Sequence, residues 1–372
     1  MAYAMGYVLT PAPRAEFLNE LLTQDTKRGI LCMKSMTILS SERTALLALV
    51  ERFPRQRVIM LGDLVADESV YGEIMRVSRE APVLILKERE KLVVPGGGAN
   101  AANNLAALGA QVIPVGAIGE DASGEALLHY FRERHISTRH IVRLKNYLTP
   151  TKTRVLGGLS HWQRQQIVRI DREPPQPLRA KVRTGLTRAA AALLNSSTGV
   201  LVADYGYRTT NAQEVDSLRQ RAHRLALPIT IDSRYDLLTY QDLTAATPNE
   251  PELEAAFGQT IGNDLDRLHI LGRKFLHRQR LQALLVTRGR DGMALFEPRR
   301  PPRHLPIFGS DQAVDVTGAG DTVIAAFTLA LAAGADFLQA AVLANYAGGI
   351  VVMKRGTATV SLREITEAIS NA

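Results

Sequence analysis

Arg57-Val58-Ile59-Met60-Leu61-Gly62-Asp63 decides the fold class, because it is apolar at every position from 58 to 61 and then stops at a glycine and an acid. A strand with one wet face alternates apolar and polar residues; an unbroken run is buried on both faces, as in a parallel sheet covered by helices. Further along, Val83-Leu84-Ile85-Leu86 and Lys91-Leu92-Val93-Val94 read as two short strands around a charged turn. A Gly-rich stretch then opens a helix over 100–108 that Gly109 stops. Apolar strand-like runs at 112–115, 200–203, 229–231, 284–286 and 293–296 alternate with helical stretches, and a helix over 41–53 precedes the first strand. Such alternation predicts an α/β fold with a mainly parallel central sheet flanked by helices. Sites in these folds lie beyond the carboxyl ends of the strands. Two stretches break the rhythm, near 83–94 and 151–171, and are expected to form a small β-sheet lid over the site. No repeat, low-complexity tract or linker divides the chain.

With 372 residues, 46% of them hydrophobic, the chain can bury a large core. Its one cysteine, Cys32, leaves no intrachain disulfide framework and fits a reducing, cytoplasmic location. The net charge of +8 attracts phosphate generally, but the basic residues are scattered and no nucleic-acid motif accompanies them. A phosphorylated metabolite is the better match, and no nucleic-acid partner is expected. The apolar stretch 322–353 is interrupted by Gly334-Ala335-Asp336 and Gly348-Gly349, so it reads as two buried helices and not a membrane span. Residues 1–40 lack the order of a secretory signal and read as a poorly ordered extension, with Met33 and Met36 as alternative starts.

The chemistry concentrates in Asp315-Val316-Thr317-Gly318-Ala319-Gly320-Asp321-Thr322, which runs straight into an apolar helix. Small residues before a helix leave the amides of Gly318, Ala319 and Gly320 free to face an anion at the positive helix end. Asp321, in the first helical turn beside that cradle, is placed to take a proton from an attacking hydroxyl. Read locally, the alternative is that the same aspartate merely caps the helix and the glycines merely turn the chain.

The full string resembles the D-T-x-G-A-G-D signature of the PfkB/ribokinase carbohydrate kinases. It is not a Walker A loop, lacking the Gly-Lys-Ser/Thr ending. Pro95-Gly96-Gly97-Gly98-Ala99-Asn100 is similar to the family's second signature, implying that Gly97, Gly98 and Asn100 approach a sugar. Thr247-Pro248-Asn249-Glu250-Pro251-Glu252 matches its N-x-x-E element, which implies nucleotide contacts from Asn249, Glu250, Pro251 and Glu252 and a hydrated Mg2+ beside Asn249 and Glu252. Without the family, that string is an ordinary helix start. The resemblance further implies ATP contacts at Thr287, Gly289, Thr317 and Asn345, and a substrate contact at Asp67.

A narrower resemblance runs over 58–365. Arg76-Val77-Ser78-Arg79-Glu80-Ala81-Pro82-Val83, Asp204-Tyr205 and Lys354-Arg355-Gly356-Thr357 are similar to the D-glycero-β-D-manno-heptose 7-phosphate kinases. This implies phosphorylation of an anomeric hydroxyl to give a 1,7-bisphosphate, a step toward ADP-heptose and lipopolysaccharide core. Asp204 is then a substrate residue, and Arg154, Arg169 and Arg208 are candidate anchors for the 7-phosphate. One departure stands out: Gly206-Tyr207-Arg208 follows Asp204-Tyr205 where these kinases often continue Lys-Gly. The alternatives are a PfkB kinase for another sugar or a nucleoside, and a kinase-fold scaffold without activity. Pairing of lid strands between subunits would give a homodimer.

Overall fold

The computed structural model describes residues 40–158, 165–310 and 312–372. The expected extension 1–40 and Cys32 therefore lie almost wholly or wholly outside the described residues. The chain opens with α1 (Ser40–Val50), β1 (Arg57–Gly62), β2 (Leu64–Val77), β3 (Leu84–Gly96) and α2 (Gly97–Ala107). It continues through β4 (Gln111–Gly119), α3 (Ala122–Glu133), β5 (His140–Leu144), β6 (Thr151–Gly158), β7 (Gln165–Arg172), α4 (Ala180–Leu193) and β8 (Gly199–Asp204). Next come α5 (Ala212–Arg224), β9 (Ile229–Ser233), β10 (Ala245–Ala246), α6 (Glu250–Phe257), α7 (Leu265–Arg278), β11 (Ala283–Thr287), β12 (Met293–Phe296) and β13 (Arg303–Leu305). Three helices close the chain: α8 (Ala319–Ala332), α9 (Phe337–Val351) and α10 (Leu362–Ser370).

Nine strands form the main sheet in the order β13-β12-β11-β10-β9-β8-β1-β4-β5. All neighbours from β11 to β5 are parallel, and β12 and β13 extend the other edge by antiparallel pairing. The unbroken apolar run of β1 serves two cores. Val58 and Met60 pack with α2, α8 and α9 on one face, whereas Ile59 and Leu61 pack with α4, α5 and α7 on the other. Burying each such side chain contributes roughly 1.5–3 kcal/mol. The stretch 322–353 is two helices, α8 and α9, divided at Gly334, whose φ of +92° suits glycine. Among the described residues no helix is long and apolar enough to cross a membrane.

A second, four-stranded sheet has the order β3-β2-β6-β7. Its two sequence stretches match the expected lid, with one correction. The segment read as two short strands around a charged turn is one strand, β3, paired with β2 along its length. Its charged middle is not a turn because Arg89 ion-pairs with Glu73 across the hairpin and Lys91 with Glu68 at 2.7 Å. β2 follows β1 after the single residue Asp63, so the chain passes from main sheet to small sheet at one corner. That corner sits at the carboxyl end of β1, where the site is built.

Candidate active site

Asp63 holds the corner. Its side chain is 1% exposed, and it accepts backbone N–H bonds from Tyr205, Tyr207 and Thr209 at 2.8, 3.0 and 3.0 Å. This fixes the loop after β8 over the end of β1. Burial, with Asp204 nearby, pushes the Asp63 carboxyl up to about 6, against the hydrogen bonds from Thr209 and Tyr205.

The loop delivers Tyr205 to Asp321. Asp321 is 7% exposed in the first turn of α8, and one carboxylate oxygen accepts the Tyr205 hydroxyl while the other accepts Asn100 Nδ2 at 2.7 Å. Tyr205 also lies 3.0 Å from Asp232 at the end of β9. Burial pushes Asp321 up to about 7; Asp232 and Asp67 add to the rise, and the bonds from Tyr205 and Asn100 oppose it. A carboxylate titrating near neutrality can take a proton and release it.

Gly318 stands at the helix mouth with a φ of +77°, where a Cβ would come within 2.6 Å of Asn100 Nδ2. The amides of Gly318 and Gly320 have no hydrogen-bond partner among the described residues, as an anion cradle requires. The Ala319 amide corrects the expectation of three free donors, since it bonds back to the Val316 carbonyl at 3.2 Å. Asp315 braces the turn from outside, accepting the amides of Thr317 and Gly356 at 2.9 Å each. Burial alone would raise its carboxyl; those bonds outweigh it and hold the group below the usual range.

Beside the cradle lies a mainly apolar cavity of about 350 Å3. Thr287, Gly289, Ala319, Gly320 and Asn345 all line it, and Thr317 does not. Asn345 meets the cavity while its Nδ2 donates to the Pro306 carbonyl at 2.7 Å, tying the stretch after β13 to α9.

Several residues expected to touch ligand are engaged with the protein instead. Asn100 is fully buried; its amide donates to Asp321 and its side-chain oxygen accepts from Asn104 at 3.2 Å, so it orients the carboxylate. Gly98 is tightly packed, as a Cβ there would lie 2.6 Å from the Asp63 carbonyl. Gly97, with a φ of +52°, packs against Val65 and Tyr205. Asp204, expected as a substrate residue, is engaged inside the fold. Its carboxylate accepts from Tyr240 at 2.6 Å, Ser233 at 3.0 Å and the Gly206 amide at 3.1 Å.

Asn249 and Glu252 form a capping box at the start of α6, each side chain accepting the other's amide, at 2.7 and 2.9 Å. The local helix-start reading is therefore satisfied. Glu250, expected as a nucleotide contact, is ion-paired with the nearly buried Arg288 at 2.6 Å. Pro251 occupies the first helical turn. Yet Glu252 still faces the site. Burial raises its carboxyl, Arg234 opposes that, and the charge of Asp321 is felt there. Asp232 is raised in turn, by burial first and then by Glu252. Two buried acids that repel each other beside a phosphate cradle suit a hydrated divalent cation. Among the described residues no three acids, histidines or cysteines gather as direct metal ligands.

On the small sheet, Asp67 is 6% exposed, 3.2 Å from Arg154 and bonded by Thr357 Oγ1 at 3.2 Å. Arg154 pairs in register with Arg169, whose guanidinium is held by Asp171 at 2.7 and 2.5 Å. Arg208, at a φ of +64° and mostly exposed, stands 4.0 Å from Asp236. The structure adds residues that sequence reasoning missed. Lys152 lies 5.5 Å over the Tyr205 ring; burial first, then Arg234, lowers its pKa, and Asp67 and Asp321 pull it back up. The period of two in β6 was the available signal, since it puts Lys152 on the face of Arg154. Tyr205 and Thr357 stood only inside strings that carried the narrower resemblance, and Asp232 carried no local sign of a role.

The description "pfkB family carbohydrate kinase" fits residues 64–364. The chain is 35% identical over 332 residues to Bifunctional protein HldE of Pelobacter propionicus, covering 89% of this chain and 67% of that protein. Against the protein of the same name from Haemophilus ducreyi it is 38% identical over 325 residues, 86% of this chain and 64% of that one. The chain thus spans about two thirds of the length of these curated relatives. In three dimensions it resembles Arabidopsis thaliana ribokinase complexed with ribose and ATP, at a TM-score of 0.65 and 20% identity over 84% of this chain and 98% of that one. Escherichia coli phosphofructokinase-2 in complex with fructose-6-phosphate gives a TM-score of 0.66 at 15% identity, over 85% and 98%. With its two-sheet architecture, its glycine-lined helix mouth and a family match over most of its length, the chain belongs to the pfkB family of carbohydrate kinases.

Proposed function

We propose that the enzyme transfers the terminal phosphoryl group of ATP to the anomeric hydroxyl of D-glycero-D-manno-heptose 7-phosphate, giving the 1,7-bisphosphate. The observation that carries the reading is the placement of Asp321: a buried carboxylate near neutrality, one and three residues from two unpartnered amides, at the edge of a nucleotide-sized cavity. The sugar oxygen attacks the terminal phosphorus, Asp321 takes its proton, and the bond to the ADP oxygen breaks. The amides of Gly318 and Gly320 hold the oxygens of the migrating group as charge develops. Asn100 and Tyr205 keep the carboxylate aimed. The adenosine is received by the cavity that Thr287, Gly289 and Asn345 line. Mg2+ bound between the phosphates and the Asn249–Glu252 helix start would neutralise phosphate charge, through water because those side chains cap α6.

The choice of sugar rests on the residues shared with the heptose 7-phosphate kinases, Tyr205 and Thr357 among them. Lys152, Arg154, Arg169 and Arg208 supply the cations for a phosphorylated sugar. A panel of heptose 7-phosphate, fructose 6-phosphate, ribose and adenosine with purified protein tests it. Turnover of another member of the panel with none of heptose 7-phosphate would retain the kinase and discard the substrate. We also infer a homodimer through the small sheet. Val168 and Ile170 on β7, 46% and 52% exposed, carry apolar surface that a second copy would cover. Sedimentation of the wild type and of Ile170→Asp checks it: a wild-type monomer would end that inference.

A further inference from the structure

A cavity of about 620 Å3 lies at the opposite end of the main sheet from Asp321. It is lined by the first residues of three parallel strands: Arg57 of β1, Gln111 of β4 and His140 of β5. Its origin is topological. β5 begins pairing with β4 only at Val115, so residues 111–114 of β4 pair with β1 on one side and have no strand on the other, and the notch stays open there.

What faces the notch is cationic. Arg57, Arg134, His135, Arg139 and His140 line it, and no lining residue is acidic. None of the three arginines makes an ion pair among the described residues; Arg134 instead stacks on the Tyr130 ring, 3.6 Å from its centroid. Surface arginines elsewhere in this protein are commonly paired, as Arg280 is with Asp242 at 2.6 Å and Arg169 with Asp171. Unpaired like charges held around one concavity repel each other, and the cost is removed when an anion enters. The same repulsion acts on His140, whose pKa is lowered by burial first and then by Arg139 and Arg57. Ala106, Val112 and Ile136 give the cavity an apolar wall. The volume suits a small molecule.

We propose that this cavity is a second anion site, distinct from the phosphoryl-transfer site, that binds a phosphate-bearing small molecule through Arg57, Arg134 and Arg139. A fork of guanidinium groups matches phosphate oxygens, and the apolar wall accommodates the rest of the ligand. The site depends on no assignment of the sugar and stands whether or not the kinase reading of Asp321 holds.

Histidine-selective NMR on the full chain tests it, with His140 assigned through His140→Gln. Pyrophosphate and ADP are the probes, and the local His140 resonance separates this cavity from any binding near Asp321. Saturable shifts of His140 at about millimolar probe or below, with its titration midpoint moving up, are expected. Arg139→Glu, an exposed side chain, should weaken that binding by about tenfold or more, the loss of one charge-assisted contact. Tighter binding of ADP than pyrophosphate would identify a nucleotide, and the reverse order an inorganic or sugar-linked phosphate; both support the site. A His140 signal that does not saturate by about 10 mM, or that responds identically in Arg139→Glu, overturns it.

Discussion

The Tyr205 hydroxyl bonds the Asp321 carboxylate, and the same oxygen lies 3.0 Å from Asp232. A phenol has one hydrogen, so it cannot donate to two carboxylates at once. The arrangement closes if Tyr205 donates to Asp321 while Asp232, raised by burial and by Glu252, carries a proton and donates to the phenol oxygen. Because the Tyr205 bond favours the ionised form of Asp321, Tyr205→Phe should raise the Asp321 pKa above about 7. The base is active when deprotonated, so the acid limb of the pH–rate profile should move to higher pH, with activity recovered in alkali. An unmoved limb in Tyr205→Phe would show that Asp321 is not the titrating base.

Asp321→Asn keeps the size and the Tyr205 contact but cannot take a proton. Turnover should fall by about 10^2–10^4-fold, the usual worth of general-base catalysis. Circular dichroism and ATP affinity should be retained, since the side chain is not a core apolar group. Wild-type turnover in this variant would remove Asp321 from the chemistry.

Two glycines of the same turn should behave differently. A side chain at Gly320 meets nothing within 4 Å and would project toward the cavity that Gly320 lines. Gly320→Val is therefore expected to fold with near wild-type Tm and to raise the KM for ATP by about tenfold or more. Gly318→Ala must hold a left-handed φ and push against Asn100, so it should lose about 1–2 kcal/mol of stability as well as activity. Equal Tm losses in the two would contradict the geometry.

The contrast between these residues shows what a sequence can carry. Period and composition suffice for β1, whose unbroken apolar run has no solution except burial on both faces, and for the division of 322–353 at Gly334. Asp321 was legible because its partners in the turn are contiguous. The internal partners of Asp204 and Asn100 were not legible for the opposite reason: Tyr240 and Ser233 for one and Asp321 for the other are 29 to 221 residues away in the chain. Lys152 and Asp232 reach the site only through sheet register and burial, which a one-dimensional reading does not contain.

Asp63 carries the loop that positions Tyr205, through three backbone N–H groups. Asp63→Ala would leave those donors buried without an acceptor and should cost about 3 kcal/mol or more. Asp63→Asn retains one acceptor oxygen and should lose less. Urea denaturation read beside kcat checks the coupling: both variants should lose turnover in step with loop order, and a fully active Asp63→Ala would show that the loop holds itself.

Acid should act on a histidine pair outside the candidate site. His269 and His304 face each other with Nε2 atoms 2.7 Å apart, a distance that needs one nitrogen bare to accept from the other. Burial first, then His269 and Arg288, lowers His304 to about 4, and burial with Arg273 and Arg288 lowers His269 against the pull of Asp266. Both folded pKa values thus lie below the unfolded value of about 6.5, and the unfolded chain binds more protons between them. The contribution of the pair is complete above about pH 6.5 and is lost as the pH falls toward 4. His304→Gln removes the group with the larger shift while keeping a hydrogen-bonding side chain. The fall of Tm between pH 6.5 and 4.5 should be shallower in this variant than in the wild type, and parallel Tm curves would show that the pair does not titrate with folding.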